Sequence, residues 1–407
     1  FDVLPQICHT AIRNNTTKEG ANMENFTFDI STVVNFGRGQ IKQLKSLKQS
    51  GKSVLIVYGG GSIKRNGIYD AAVNILKENQ IEIYELAGVK PNPKIDLVRI
   101  GVDICRKNSI DMVLAIGGGS SIDTAKLVAA GACFDGDPWK LMEDSSRIKV
   151  ALPVYVILTL AATGSEMDDS TVISDNSIKR KLDICSEFIK PKMAVLDPAY
   201  TFSVPKEQTA AGAVDIMSHV FENYFTNVKG ADIQAQMCLA VLKTVIKNAP
   251  IAIEKPDDYD ARANLMWCSS MALNGILSYG ADVKWCVHPI EHELSAFYDI
   301  THGVGLAIIT PVWMRYILSE KTAAKIAEYG RTVWNIPYET SDLEAAKAAI
   351  EKTKDFFGSI GMPEKLSQIG IGEEHFEEMA EHAWRFCDGC YVPLTKRDIV
   401  EIYKKAL

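Results

Sequence analysis

Short hydrophobic runs alternate with amphipathic segments over the first half of the chain. Four runs rich in β-branched and aromatic residues predict buried strands: Ser53–Tyr58, Ile81–Leu86, Met112–Ile116 and Pro153–Leu158. Between them, Gly67–Asn79 and Lys94–Lys107 carry apolar residues at helical spacing. Because strands separated by helices of this length form βαβ units, the pattern predicts an open α/β domain with a parallel sheet.

The pattern changes after Asp197–Pro198. Strand-like runs end there and long amphipathic segments follow, which predicts an all-helical second domain. The predicted helices are Gln208–Thr226, Ala231–Asn248, Asp258–Leu277, Ile290–Tyr298, Thr322–Trp334, Asp342–Ser359, Gly372–Arg385 and Lys396–Leu407. We therefore expect an α/β domain over residues 23–197 and a helical domain over residues 198–407. Residues 1–22 are polar and precede Met23, which predicts a tag or another non-native leader.

The composition is that of an ordinary soluble globular protein. Hydrophobic residues make up 47% of the 407 residues and charged residues 23%, and the formal net charge is −7. This mildly acidic balance disfavours nucleic acid and anionic membranes as partners. The longest apolar stretch, Ala151–Thr163, is too short to cross a bilayer, so we expect no membrane partner.

Nine cysteines are spread over the whole chain without a paired framework. An odd number with this spacing is typical of reduced thiols, so we predict a cytoplasmic protein. Cys387 and Cys390 form a lone CxxC that no second pair follows, and we interpret them as two ordinary thiols near a loop.

Two of the predicted strands end in glycine-rich turns. Gly59, Gly60, Gly61 and Ser62 follow the first strand, and Gly117, Gly118, Gly119 and Ser120 follow the third. Glycine lets the backbone approach a pyrophosphate closely, and the free N–H groups at a helix start favour anions. A single turn of this kind is equally typical of a plain strand–helix connection. Two in one sheet predict a cofactor that contains phosphate, although neither turn is a GxGxxG or P-loop motif.

The first of these turns also indicates which nucleotide binds. An acidic residue after that strand would bond the ribose hydroxyls and repel a 2′-phosphate. The position is Gly59 here, and Lys64 and Arg65 follow it, which favours NADP(H) over NAD(H). The alternative is that Lys64 and Arg65 are solvated residues at a helix start.

Four of the seven histidines fall between positions 219 and 302. Asp215 and His219 are four residues apart, which places them on one face of a helix, and His288 and His292 repeat the spacing. His302 follows ten residues later. One carboxylate with three imidazoles suits Fe(II) or Zn(II), whereas any one of these histidines taken alone is more typical of a core residue.

A competing interpretation concerns His288, Glu291 and His292. They match HxxEH, the inverted zinc-peptidase signature, in which the histidines bind zinc and the glutamate is the general base. It leaves both glycine turns and the Asp215–His219 pair without a purpose, so we keep it as a remote alternative.

Several blocks together resemble one family. They are Tyr58–Gly67, Gly88–Lys94, Gly117–Lys126, Thr159–Asp168, Ala211–Phe225 and His288–Gly303. From about Met23 to its end the chain resembles the iron-containing (group III) alcohol dehydrogenases, and within them the NADPH-dependent butanol dehydrogenase and aldehyde reductase branch. The resemblance implies an α/β N-terminal Rossmann-like domain that binds the dinucleotide and an all-α C-terminal domain that binds the metal, the dehydroquinate-synthase-like fold.

The resemblance also implies roles for individual residues. The metal ligands would be Asp215, His219, His288 and His302. The cofactor-binding residues that it implies are Gly117, Gly118, Gly119, Ser120, Asp123, Thr159, Thr163, Ser165 and Lys181. The first glycine turn adds Gly59, Gly60, Gly61, Ser62 and Lys64 to this set. His292 matches a histidine near the nicotinamide that is not a ligand, where it would relay a proton or pack beside the site.

The function implied is a metal-dependent alcohol dehydrogenase or aldehyde reductase. It would transfer hydride between NADP(H) and short- to medium-chain primary alcohols or aldehydes, with Fe(II) or Zn(II), as a homodimer or larger homo-oligomer. The alternatives are a sugar-phosphate lyase or synthase that uses NAD and a metal, or a polyol dehydrogenase, on the same fold. A non-catalytic nucleotide-binding protein would keep the glycine turns without the ligands.

Overall fold

A computed structural model describes residues 22–407, so the leader predicted at 1–22 lies outside the described residues except for its last position. The described chain forms two compact units. The first contains residues 29–204 and 256–274, and the second contains residues 22–28, 205–255 and 275–407.

The first unit is built on a sheet of six parallel strands in the order β1-β8-β5-β4-β2-β3. The described strands are β1 (Val33–Phe36), β2 (Ser53–Tyr58), β3 (Glu82–Leu86), β4 (Met112–Gly117), β5 (Val154–Leu158), β6 (Ser170–Asp175), β7 (Arg180–Cys185) and β8 (Met193–Leu196). β2, β4 and β5 are buried at every position because helices cover both faces of the sheet, which is why these strands are continuous hydrophobic runs. β6 and β7 pair separately as an antiparallel hairpin.

The helices form two groups. In chain order they are α1 (Ser62–Arg65), α2 (Ile68–Glu78), α3 (Ile95–Asn108), α4 (Gly119–Ala132), α5 (Trp139–Glu143), α6 (Lys206–Tyr224), α7 (Asp232–Glu254), α8 (Tyr259–Leu273), α9 (Val287–Tyr298), α10 (His302–Ile317), α11 (Glu320–Trp334), α12 (Asp342–Ser359), α13 (Phe376–Ala383) and α14 (Lys396–Lys405). Of these, α1 to α5 and α8 belong to the first unit and the others to the second.

The helices of the first unit lie on opposite faces of the sheet. α2 packs on one face together with the 3-10 helix Gln40–Gln49, whereas α3 and α4 pack on the other. The connections that leave β2 and β4 therefore turn to different faces, and these two strands are neighbours. In open α/β sheets, ligands bind at such a switch point, beyond the carboxyl ends of the strands.

The prediction of an α/β half followed by a helical half is confirmed as a fold class. The four predicted strands correspond to β2, β3, β4 and β5, and no described strand follows Leu196. The sequence pattern did not predict β1, β8 or the β6–β7 hairpin, because each is short or belongs to a locally polar segment. It also missed α10, which is apolar on nearly every side since it is buried, and so shows no helical periodicity.

Two other expectations from the sequence concern membrane-spanning segments and the cysteines. Among the described residues, α7 is the one helix long and apolar enough to span a membrane by length and composition, and it packs against α6 and α11. Seven described cysteines are free thiols.

Candidate active site

Three helices of the second unit bring the predicted ligands together. Asp215 and His219 lie one turn apart on α6, His288 lies in the first turn of α9, and His302 begins α10. α10 approaches α6 closely because its second residue is Gly303. A Cβ there would lie 2.2 Å from the Ala211 carbonyl oxygen, so only glycine fits.

The three imidazoles converge on one oxygen of the Asp215 carboxylate. Asp215 Oδ1 lies 3.6 Å from Nε2 of His219, 3.8 Å from Nε2 of His288 and 3.7 Å from Nε2 of His302. The rings of His219 and His288 stack with centroids 4.6 Å apart. These distances exceed hydrogen-bonding range, so the groups face one another across a gap.

The donor set fits a divalent metal ion. Asp215 Oδ1 and His288 Nε2 are buried and have no hydrogen-bond partner, which is costly for polar atoms unless something satisfies them. The ligand atoms of Asp215, His288 and His302 lie within 4.8 Å of one another. A carboxylate oxygen with imidazole nitrogens is a ligand set that both Fe(II) and Zn(II) accept.

The electrostatics of the cluster are complementary. Burial by itself would raise the pKa of Asp215, but the His219, His302 and His288 imidazoles hold it well below its usual range. Burial disfavours a charged His288, yet Asp215 and Glu222 outweigh burial and raise the pKa of that imidazole to about 9. The site therefore stabilises a carboxylate facing positive charge.

Glu222 holds His288 in place, although no motif in the sequence pointed to it. Its carboxylate accepts the backbone N–H groups of Cys286, Val287 and His288 at 2.8–3.1 Å, which caps the N-terminus of α9. The same carboxylate lies 3.2 Å from His288 Nδ1, so it turns Nε2 towards Asp215. The sequence does contain a signal for Glu222, because it follows Asp215 by seven residues and therefore lies on the same stripe of α6.

Glu291 does the same for His302. Its carboxylate contacts His302 Nδ1 and accepts a 2.6 Å hydrogen bond from Ser295 Oγ. The side chain is fully buried. In the HxxEH peptidase arrangement this glutamate would face a zinc-bound water between His288 and His292, whereas here it orients a different histidine.

His292 lies beside the cluster and is 9% exposed. Its ring centroid is 5.4 Å from that of His302 and 6.4 Å from that of His288. It shares a second possible ligand group with Glu291 and His302, but it is outside the group centred on Asp215.

The CxxC thiols hold the segment that leads into His288. Cys390 Sγ donates to the Trp285 carbonyl oxygen at 3.2 Å, and Cys387 Sγ approaches the Cys286 carbonyl oxygen at 3.8 Å. The Trp285 ring lies against His288, with centroids 4.5 Å apart. Both cysteines are buried, so they support this segment in addition to lying near a loop.

The first unit brings the two glycine turns side by side, because β2 and β4 pair with Tyr58 opposite Ile116. The second turn packs directly on the loop that carries Thr159 and Thr163. A Cβ at Gly119 would lie 2.6 Å from the Thr163 side chain, and Thr159 N–H donates to the Gly117 carbonyl oxygen. The predicted cofactor residues of β4 and this loop therefore form one surface.

Asp123 and Ser165 point into a buried network below that surface. Ser165 Oγ donates to Asp123 Oδ1 at 2.7 Å. The fully buried Lys126 ammonium donates to Ser165 Oγ at 3.1 Å and to Asp168 Oδ1 at 2.5 Å. Burial raises the pKa of Asp123 and of the neighbouring Glu166 to about 7 each. Both Asp123 and Ser165 are nearly inaccessible, so their side chains join α4 to the loop.

The two predicted cofactor lysines differ in their surroundings. Lys181, on β7, is buried and donates to Asn92 Oδ1 at 3.2 Å. Lys64, on α1, is 46% exposed and forms an ion pair with Glu85 at 3.2 Å.

Two family models match the chain. One is described as iron-containing alcohol dehydrogenase and matches residues 31–198, and the other is described as the C-terminal part of the Fe-containing alcohol dehydrogenase family and matches residues 209–407.

Relatives and solved structures agree with these models. The chain is 54% identical to the NADH-dependent butanol dehydrogenase A of Clostridium acetobutylicum, over 94% of this chain and 100% of that protein. It is 38% identical to the NADPH-dependent aldehyde reductase YqhD of Escherichia coli, over 86% and 90% of the two chains. It superimposes on the crystal structure of the NADH-dependent butanol dehydrogenase A of Thermotoga maritima with a TM-score of 0.90 and 39% identity, covering 95% of this chain and 99% of that one.

Proposed function

The chain belongs to the iron-containing alcohol dehydrogenase family, and from this we propose that it reduces short- to medium-chain aldehydes to primary alcohols, reversibly, with NADPH as the preferred cofactor. Family membership makes it an NAD(P)-dependent oxidoreductase acting on alcohols and aldehydes. The observation that carries the proposal is the group of imidazole nitrogens 3.6–3.8 Å from Asp215 Oδ1.

In this proposal Asp215, His219, His288 and His302 hold a divalent Fe or Zn ion. A bound ion would polarise the aldehyde oxygen as a Lewis acid while a bound nicotinamide supplies hydride. Glu222 and Glu291 keep the Nδ1 protons of His288 and His302 on their own side. Nε2 of each ring then faces the ion and would release any proton it carries when the ion binds.

His292 would act as the proton relay. The alkoxide formed on reduction needs a proton, and imidazole is the side chain that exchanges one near neutral pH. His292 lies beside His302 without belonging to the Asp215-centred group, so it can hold a proton at a ring nitrogen while the ligands stay deprotonated.

The preference for NADPH is supported by the first glycine turn. Gly59 offers no carboxylate to repel a 2′-phosphate, and Lys64 follows on α1. The relatives differ in cofactor, since the butanol dehydrogenase is named as NADH-dependent and the aldehyde reductase as NADPH-dependent. Gly59→Asp should shift the preference towards NADH by about tenfold, because it places a negative charge beside the phosphate. Gly59→Ala is the matched control, since either substitution puts a Cβ 3.2 Å from the Val89 carbonyl oxygen.

The decisive experiment follows NADPH absorbance with butyraldehyde, using protein purified anaerobically and assayed with and without Fe(II) or Zn(II). We expect metal-dependent oxidation of NADPH, and slower oxidation of NADH. A sugar-phosphate lyase on the same fold would release no oxidised cofactor, so no net oxidation with any metal across several aldehydes would overturn the proposal.

We also propose a cytoplasmic homodimer or larger homo-oligomer. The net charge of −7 and the predominance of free thiols support the location. Sedimentation of the purified chain tests the assembly, and a monomer at micromolar concentration would contradict it.

A further inference from the structure

A compact group of charged and aromatic side chains lies beside the first glycine turn. It consists of Tyr58 at the end of β2, Lys64 on α1, Tyr69 on α2 and Glu85 on β3. Glu85 lies opposite Ile56 of the neighbouring β2. The exit of β3 is bonded to the turn itself, since the Gly88 N–H donates to the Gly59 carbonyl oxygen at 3.2 Å. We call these four residues the Glu85 cluster.

Glu85 is held at both of its oxygens. Oε2 accepts a 2.5 Å hydrogen bond from the Tyr58 hydroxyl and a 3.2 Å bond from the Lys64 ammonium, and Oε1 accepts from the Tyr69 hydroxyl. The Lys64 ammonium also lies over the two tyrosine rings, 5.0 Å from one centroid and 4.3 Å from the other. The carboxylate is therefore fixed next to the ammonium and offsets its charge.

Glu85 supplies, beside the first glycine turn, the acidic group that position 59 lacks. Gly59 has no side chain, but the adjacent strand supplies an acidic group beside the same turn. Lys64 would attract a cofactor's 2′-phosphate, and Glu85 would repel that phosphate and compete for Lys64. An uncharged ribose 2′-hydroxyl would be attracted by Lys64 and repelled by Glu85 much less strongly than a 2′-phosphate.

We propose that Glu85 is the specificity-determining residue that limits preference for NADPH, by neutralising Lys64 and holding a negative charge beside the 2′-phosphate position. This inference rests on the proposed function, because it concerns the same cofactor site. It makes the chain competent with both cofactors, with the balance set by one carboxylate outside the glycine turn.

The test measures binding without turnover. Isothermal titration calorimetry gives dissociation constants for adenosine 2′,5′-bisphosphate and for ADP. Both ligands carry two phosphates, but only the bisphosphate has one on its 2′ oxygen. Glu85→Gln keeps the size of the side chain and an oxygen for a tyrosine hydroxyl. We expect it to bind the bisphosphate about fivefold more tightly, with ADP affinity unchanged within twofold, and the gain should shrink at high salt.

Glu82→Gln is the matched control. Glu82 lies on the same strand and loses the same charge, but it pairs opposite Ser53 at the far end of β2, away from the turn. It should leave both affinities unchanged. Lys64→Gln should weaken bisphosphate binding about fivefold, and it tests the cluster even if Glu85→Gln does not fold.

The outcomes separate the two proposals. An unchanged ratio of bisphosphate to ADP affinity in Glu85→Gln overturns the inference, as does an equal shift in Glu82→Gln or no effect of Lys64→Gln. The proposed function would survive any of these results. If neither ligand binds to any variant, and NADPH is not oxidised by the unsubstituted protein, the proposed function fails and the inference fails with it.

Discussion

At the scale of single residues, the carboxylates behind the histidines should matter nearly as much as the ligands. Glu222→Gln replaces the acceptor of three backbone N–H groups and of His288 Nδ1 with a neutral amide. We expect metal affinity to fall about 10- to 100-fold, because the imidazole loses its fixed orientation and part of its basicity. Competition with a chelator of known affinity measures this directly.

The control for that measurement is Glu344→Gln. Glu344 is exposed on α12 and pairs with Lys347 at 2.9 Å, so its removal changes the charge without touching the cluster. Equal metal affinities for Glu222→Gln and Glu344→Gln, in protein with an unchanged circular dichroism spectrum, would show that Glu222 does not position His288.

His292 and His288 should respond differently to the same substitution. His292→Ala removes the proposed relay, and we expect kcat to fall about 100-fold while the metal remains bound. His288→Ala removes a proposed ligand, and we expect the metal itself to be lost. Metal content per chain and kcat, measured on one preparation, distinguish the two roles. Metal loss in His292→Ala would make His292 a ligand.

The sequence predicted some residues of the site and missed the roles of others. The Asp215–His219 spacing marks a helix face, because residues four apart always meet there. The HxxEH match suggested that Glu291 is the general base of a zinc peptidase. That motif depends only on local spacing, so it cannot show that the Glu291 carboxylate contacts His302, eleven residues away. Local patterns could not predict the Lys126 network either, because its partners are about 40 residues away along the chain.

At the scale of elements, one buried ammonium joins α4 to the loop at 159–168 and to β6. Lys126 donates to Ser165, Asp168 and the Ser170 carbonyl oxygen. Lys126→Met would leave the buried carboxylates around it without a cation. We expect the free energy of unfolding to fall by about 3 kcal/mol, measured from urea midpoints.

Lys107→Met is the control for Lys126→Met. Lys107 is exposed in the last turn of α3, so the same change of side chain there costs no buried contact. If the two variants unfolded at the same urea concentration, the Lys126 network would contribute nothing to stability.

Elements with a strong local pattern were predictable, and those defined by distant partners were not. β2 and β4 are continuous apolar runs and were found, but α10 is uniformly apolar and was missed. α8 lies in the helical half of the sequence, yet it belongs to the first unit. There the Gly164 N–H donates to Ser269 Oγ, a contact that no pattern along the chain reveals.

At the scale of the whole molecule, buried acids should make stability depend on pH. Burial raises the pKa of Glu166 to about 7, whereas an unfolded glutamate titrates near 4.3. The native state therefore binds more protons than the unfolded state between these values. The stability that this group contributes is fully present below about pH 4 and is lost as the pH rises through about 7.

Glu166→Gln should remove this dependence, because the amide resembles the protonated acid and does not titrate. Between pH 5.5 and pH 8 the unsubstituted protein should lose about 2 kcal/mol of unfolding free energy relative to the variant. Urea unfolding of both proteins at the two pH values measures the difference. Glu143→Gln, at an exposed position of the same unit, controls for general charge effects. Parallel losses in the unsubstituted protein and Glu166→Gln would mean that Glu166 is ionised in the folded chain throughout this range, and that Lys126 and Ser270 stabilise its charge more than burial opposes it.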